Sequence, residues 1–220
     1  MASPAKLAPG FPERMVRDLR AAPWPVWLIF ALCLLPEAAL TGSDFGLWGQ
    51  VRDRAVAIDY LGFWAGLLHG WTPNYGVQPY AMFLTYGFLH AGLVHFGLNM
   101  LTLFSLGRPV ERALGGWRFL VCYTILLIAG GLGFALIPAG AAPMIGASGA
   151  LFGLAGMILC WEYLFRAKRR RPILPVLRSV LMLVLLNVLL WWAMAGQLAW
   201  QTHLGGFVGG WLLALWVRPE

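Results

Sequence analysis

The chain has 220 residues, of which 60% are hydrophobic and only 11% charged, with a mean hydropathy of +0.72. That balance excludes an ordinary soluble domain. The formal net charge of +7 falls between apolar runs, where it reads as a topology signal rather than as a surface for nucleic acid.

Residues 1–23 form a proline-containing tail, too short for a domain, that carries Lys6, Arg14, Arg17 and Arg20. The first apolar run begins only at Trp24, so no cleavable signal peptide is expected and Trp24–Leu40 serves as an uncleaved anchor. Pro36 and Glu37 interrupt this run near its end. Residues 41–87 make the first loop, in which the short apolar stretch Ile58–Trp71 is predicted to be an interfacial helix with His69 at the interface. Further spans are predicted at Phe88–Gly107, Trp117–Ile137, Ser148–Phe165, Ile173–Ala195 and Thr202–Val217, and residues 218–220 form the C-terminal tail. Most of these runs reach the ~20 residues that a ~30 Å hydrocarbon core demands. One membrane domain, 24–217, accounts for them. Cys33, Cys122 and Cys160 lie within spans without metal-ligand spacing and read as packing residues. In the fifth run, Asn187, Trp191 and Trp192 fit either packing or a gate.

Six spans place both termini on one side. Arg108, Arg112 and Arg118 fall between the second and third runs, Arg166, Lys168, Arg169, Arg170, Arg171 and Arg178 between the fourth and fifth, and Arg218 after the last. Of 16 basic residues, only Arg52 and Arg54 are then on the opposite side. The positive-inside rule makes both termini cytoplasmic, and the basic loops can also meet anionic lipid. The expected location is a multi-pass position in a bacterial cell (inner) membrane.

Polar side chains at membrane depth are costly and mark function. Ser148 lies 18 residues before Arg166, ~27 Å of helix, and His203 lies 15 before Arg218, ~22 Å, so both sit in the outer part of the membrane. A nucleophile type and a base type at similar depth suggest a serine hydrolase. Taken singly, Ser148 fits a helix N-cap and His203 a hydrogen-bonded packing residue. Gly146 and Gly149 give the backbone freedom around the serine. His95 and Asn99 are four apart on one helix face at the same end, as donors converging on an oxyanion would be. His90, His95 and His203 could instead supply imidazoles to a metal. Against that, His90 and His95 are five apart and no Cys or carboxylate lies near, so neither metal nor other cofactor is expected. After Glu111 the acidic residues are Glu162 and Glu220. Glu162 is ~21 Å of helix below Ser148, too far to orient His203. Ala150 departs from the Gly-x-Ser-x-Gly elbow of soluble α/β hydrolases.

Gly-Ala-Ser-Gly at 146–149, His-x4-His-x3-Asn from His90 to Asn99, His203 followed by Leu-Gly-Gly-Phe-Val-Gly-Gly, and Gly107-Arg108-Pro109-Val110-Glu111-Arg112 stand in one order. Together they resemble the rhomboid family of intramembrane serine proteases. The resemblance covers the chain from about Trp24 to Val217. It implies an all-α polytopic membrane protein, a six-transmembrane-helix bundle with both termini cytoplasmic. It also implies a dyad of Ser148 as nucleophile and His203 as base, an oxyanion site from the Ser148 N–H, His95 and Asn99, and a supporting role for His90. The implied partners are transmembrane protein substrates and membrane lipid. Phe152 departs from the tyrosine common one turn after the family's serine, although it can still stack on His203. The first loop lacks the Trp-Arg pair of many members. Gly205 with Gly209, and Gly206 with Gly210, have small-xxx-small spacing that lets helices approach closely. Two other readings are weighed. A catalytically inactive rhomboid-like binder of membrane helices would need neither Ser148 nor His203. A small transporter would need an acidic residue mid-span, and none is found.

Overall fold

Helix starts and stops follow proline and glycine along the chain. The computed structural model describes residues 22–137 and 140–219; the basic tail positions Lys6, Arg14, Arg17 and Arg20, and Pro138 of the loop before Ser148, lie outside them. The helices are α1 (Trp24–Asp44), α2 (Asp53–Leu61), α3 (Gln78–Thr85), α4 (Leu93–Thr102), α5 (Arg108–Leu114), α6 (Gly116–Leu136), α7 (Ser148–Lys168), α8 (Leu174–Ala193) and α9 (Trp200–Trp216). Proline occupies the first turn of α1, α3, α5 and α8, where its missing N–H costs nothing. Gly92 (φ 100°) and Gly115 (φ 78°) make the turns ahead of α4 and α6.

Four helices, α1, α6, α7 and α8, are long and apolar enough to cross a membrane. A fifth candidate is the broken pair 78–88 and 93–114, bent by 83°. At 17 residues, α9 spans ~25 Å.

The first span extends beyond Leu40 to Asp44, although Pro36 and Glu37 lie inside it. Glu37 is 1% exposed, but its charge is met. Arg54 of α2 donates to it at 2.9 and 3.1 Å, and Thr41 Oγ1 donates at 2.8 Å. The second span begins later than Phe88, because Tyr86–Phe88 is a 3-10 turn and Gly92 breaks the chain before Leu93. It then passes Gly107 through a π-helical turn, Leu103–Gly107, into α5. That wide turn lies just ahead of Pro109, which can donate no N–H to the ladder.

The interfacial helix expected over Ile58–Trp71 is not one helix. α2 ends at Leu61, Gly62 is extended, and a separate 3-10 turn covers Ala65–Leu68. Between them Phe63 forms an antiparallel bridge with Met144, N–H to carbonyl in both directions at 2.9 and 3.0 Å. Its ring is fully buried against Phe83, Tyr86 and Phe134, at centroid distances of 4.8 to 5.9 Å. Full burial of one Phe contributes ~1.5–3 kcal/mol, enough to outweigh another turn of exposed helix. The bridge fastens the first loop to the segment leading into Ser148.

Backbone meets backbone where α7, α9 and α6 cross. A Cβ placed on Gly206 or Gly210 would lie 1.9 Å from the carbonyl oxygen of Gly149 or Gly153 respectively. On the other face of α9, a Cβ on Gly205 would lie 2.6 Å from Ala129 O and from Gly133 Cα. Thr202 Oγ1 closes this junction by donating to Gly130 O at 2.7 Å. In a bilayer, where lipid competes equally for apolar surface, such close approach is what holds helices together.

Candidate active site

Ser148 is the first residue of α7, and Ala147 occupies the capping position with no side-chain cap. The hydroxyl is therefore free for another partner. His203 Nε2 lies 2.8 Å from Ser148 Oγ. The imidazole is 5% exposed and stacks on Phe152, with centroids 4.2 Å apart and planes 8° from parallel. Phe152 is one turn along α7 from Ser148, so a single helix supplies the hydroxyl and the surface that orients the ring.

The other imidazole pair flanks this contact. His95 Nδ1 accepts from the Ala91 N–H at 3.2 Å, which leaves the Nε2 proton as the neutral ring's donor. A Cβ on Gly146 would lie 2.9 Å from His95 Nε2 and 3.9 Å from Ser148 Oγ, so that ring edge borders the same small space as the hydroxyl. Gly146 has φ 120°, a second reason why no larger residue suits the position. Its N–H donates to Tyr86 O at 2.9 Å, which holds the strand of chain entering α7. Asn99 is 5% exposed; its Nδ2 donates to His95 O at 2.9 Å, while its Oδ1 is unpaired. The first turn of α7 adds N–H groups without intrahelical acceptors. Gly149 and Gly206 face each other beneath Ser148, and Gly205 faces α6.

His90 is 1% exposed and lies edge-on to His95 at 5.2 Å between centroids. Its carbonyl accepts from Arg54 Nη1 at 2.6 Å. Among the described residues no group of three or more His, Cys, Asp or Glu side chains is arranged to hold a metal ion.

Two contacts were not assigned from the sequence. Arg54 connects Glu37, Asp44 and the His90 carbonyl, and so joins α1, α2 and the turn before α4. Burial alone would lower the Arg54 pKa, but its hydrogen bonds and attraction to Glu37 and Asp44 raise it above the usual arginine value. The signal was an acid inside an apolar run together with a basic residue on the outer side. The second feature is Asn187 of α8, whose Oδ1 lies 2.6 Å from His203 Nδ1. Beside it, Phe152, Leu183, Val184, Trp191, Trp200 and Phe207 help line an apolar cavity of about 430 Å³.

Comparison with known proteins shows the family. The Rhomboid domain family model matches residues 77–220. Rhomboid protease GluP of Bacillus subtilis is 33% identical over 127 residues, 57% of this chain and 24% of that protein. Rhomboid protein 1, mitochondrial, of Saccharomyces cerevisiae is 37% identical over 134 residues, 56% of this chain and 38% of that protein. Rhomboid protease GlpG of Serratia proteamaculans is 30% identical over 146 residues, 60% of this chain and 46% of that protein. The matched regions thus span less than half the length of these three relatives. With the family model covering all the elements from α3 to α9, and helices fit to cross a membrane several times, the chain is a multi-pass membrane protein that belongs to the rhomboid family.

Proposed function

We propose that the chain is an intramembrane serine endopeptidase that cuts single-span membrane proteins near the outer face of the bilayer. The observation that carries this reading is the 2.8 Å contact between Ser148 Oγ and His203 Nε2 across two glycine-locked helices. In this scheme His203 takes the Ser148 proton as Oγ attacks the scissile carbonyl carbon. The same proton then passes to the departing amine, and water repeats the cycle on the acyl-enzyme. The Ser148 N–H, His95 Nε2–H and Asn99 Nδ2 serve the oxyanion, with Asn99 first leaving the His95 carbonyl, and His90 supports His95. The six-span topology with cytoplasmic termini, suited to a bacterial inner membrane, follows from counting α9 and the bent pair as spans and from the charge distribution. An inactive helix-binding role would leave the hydrogen-bonded Ser148–His203 pair without a use.

The oxyanion assignment has a measurable consequence. One donor to an oxyanion is typically worth about 10²–10³ in rate. His95→Ala and Asn99→Ala should each lower turnover by that order yet leave it detectable, and chelators should change nothing. Loss of activity to chelator with recovery on adding zinc would favour metal chemistry instead.

Substrate preference follows from burial. A helical peptide bond has its carbonyl hydrogen-bonded and its faces covered, so the substrate must unwind locally. Gly lowers that cost by ~1 kcal/mol relative to Ala. Cleavage is expected after a small residue near the outer end of the span, with helix-weakening residues a turn or two deeper. Replacing those deeper residues by Leu should slow cutting without preventing insertion. Mass spectrometry of the products tests this reading, and a cut at the cytoplasmic end, or indifference to Leu, would contradict it.

A further inference from the structure

We infer that Asn187 is a positioning residue that sets the tautomer of His203, so that the Ser148–His203 pair is held in its productive form by a third side chain. The inference rests on the serine-hydrolase reading above and concerns the nitrogen of His203 that faces away from Ser148.

The amide orientation is fixed by its second partner. Asn187 Nδ2 donates to Leu183 O on the same helix at 3.0 Å, which turns Oδ1 toward His203 Nδ1 at 2.6 Å. A flipped amide would set two acceptors, Oδ1 and Leu183 O, against each other. An amide oxygen can only accept, so Nδ1 must carry the imidazole proton. Nε2 is then left with its lone pair facing the Ser148 hydroxyl at 2.8 Å, the form a general base needs. With the opposite tautomer, Nε2–H would point at Ser148 and could take no proton from it. When Oγ bonds the scissile carbon and its proton moves to Nε2, the imidazolium keeps its Nδ1–H on Oδ1. When the C–N bond breaks, the amine nitrogen takes the Nε2 proton and the neutral tautomer returns unchanged. Asn187 neither gains nor loses a proton in the cycle.

Among the described residues, Asn187 is the hydrogen-bond partner of His203 Nδ1. Phe152 covers one ring face, and the cavity that His203 and Asn187 border is otherwise lined by aliphatic and aromatic side chains such as Leu183, Val184, Trp191 and Phe207. An Nδ1–H deprived of Asn187 would face an apolar space, at the cost of an unmet buried donor. Val176 is the residue of α8 that is buried, and it lies near the other end of that helix. At the level of the site, the bond to His203 is a polar tie between α8 and α9.

The test compares Asn187→Leu, which removes the acceptor at similar size, with Asn187→Asp, which keeps it. Turnover of a single-span substrate, fluorophosphonate labelling of Ser148 and ¹⁵N NMR of labelled histidine would be read in detergent on the full chain. There are 4 histidines, so His203→Ala suffices to assign the signal. Wild type should show Nδ1–H with bare Nε2. Asn187→Leu should shift that population toward Nε2–H and lower kcat by about 10²-fold or more; a wrongly held base tautomer costs a Ser-His-Asp protease about 10⁴-fold. KM should move less than twofold, and Asn187→Asp should recover most of kcat. The inference fails if Asn187→Leu keeps wild-type kcat and tautomer, or if Asn187→Asp is as slow as Asn187→Leu. Should Asn187→Leu not fold, the tautomer and kcat of Asn187→Asp decide in the same two directions. Wild type that the probe does not label would overturn the serine-hydrolase reading and this inference with it, whereas labelled wild type with indifferent variants overturns this inference alone.

Discussion

Ser148→Ala and His203→Ala are each expected to remove about 10⁴–10⁶-fold of turnover, because either change leaves no activated nucleophile. Other hydroxyls near the helix crossing cannot substitute. Thr202 Oγ1 is committed to Gly130 O and Tyr86 OH to Leu127 O, each at 2.7 Å and buried. A fluorophosphonate probe should label the wild-type protein at Ser148 and neither variant. The fold should survive both, since Ser148→Ala removes one oxygen from a half-buried position and does not disturb the glycine contacts beneath it. Cleavage persisting in either variant would remove the basis for the proposed chemistry. Failure to fold would show up separately, in the thermal unfolding of the detergent-extracted protein.

Gly206→Ala is expected to damage the site as well, less than loss of the dyad does, and through geometry alone. Its new Cβ would sit 1.9 Å from Gly149 O, 2.8 Å from Gly149 C and 3.3 Å from Gly149 Cα. All three are backbone atoms, so no side chain can swing aside and α9 itself must move away from α7. Overpacking of this kind costs about 1–3 kcal/mol or more. His203 lies one turn earlier on α9, and a displacement of about 1 Å can cost 10²-fold in rate. Turnover should therefore fall about 10²-fold and the unfolding midpoint should drop. Gly97→Ala is the control: a Cβ there meets nothing within 4 Å, so stability should hold or rise slightly. Equal behaviour of the two alanine variants would show that the contact at Gly206 does not hold the site together.

Residues whose chemistry clashed with their apolar surroundings were legible in the sequence. Ser148, His203 and the His95–Asn99 pair stood out because membrane depth makes such groups costly, and the glycine spacings pointed to close helix contact. Less legible was whatever depended on two distant segments meeting. Hydropathy treats Glu37 as an interruption, yet its pairing with Arg54 of α2 lets α1 continue past it. Ile58–Trp71 is uniformly apolar, and nothing in its composition reveals that Phe63 would leave the helix to pair with Met144. Asn187 could be read as packing or gate because its proposed role turns on the rotation of α8 relative to α9, which a sequence separation of 16 does not encode.

The Phe63–Met144 bridge bears on how far the protein can be taken apart and recombined. Two hydrogen bonds and one buried ring tie residues from opposite halves of the chain into a single register. Four positions beyond Met144 comes Ser148. A chimera that imports another relative's first loop must therefore import the matching segment around 143–146 with it. Exchanging either piece alone would slip the pairing and carry the nucleophile out of line with a base anchored elsewhere. The unit of exchange in this fold is the stapled pair of loops.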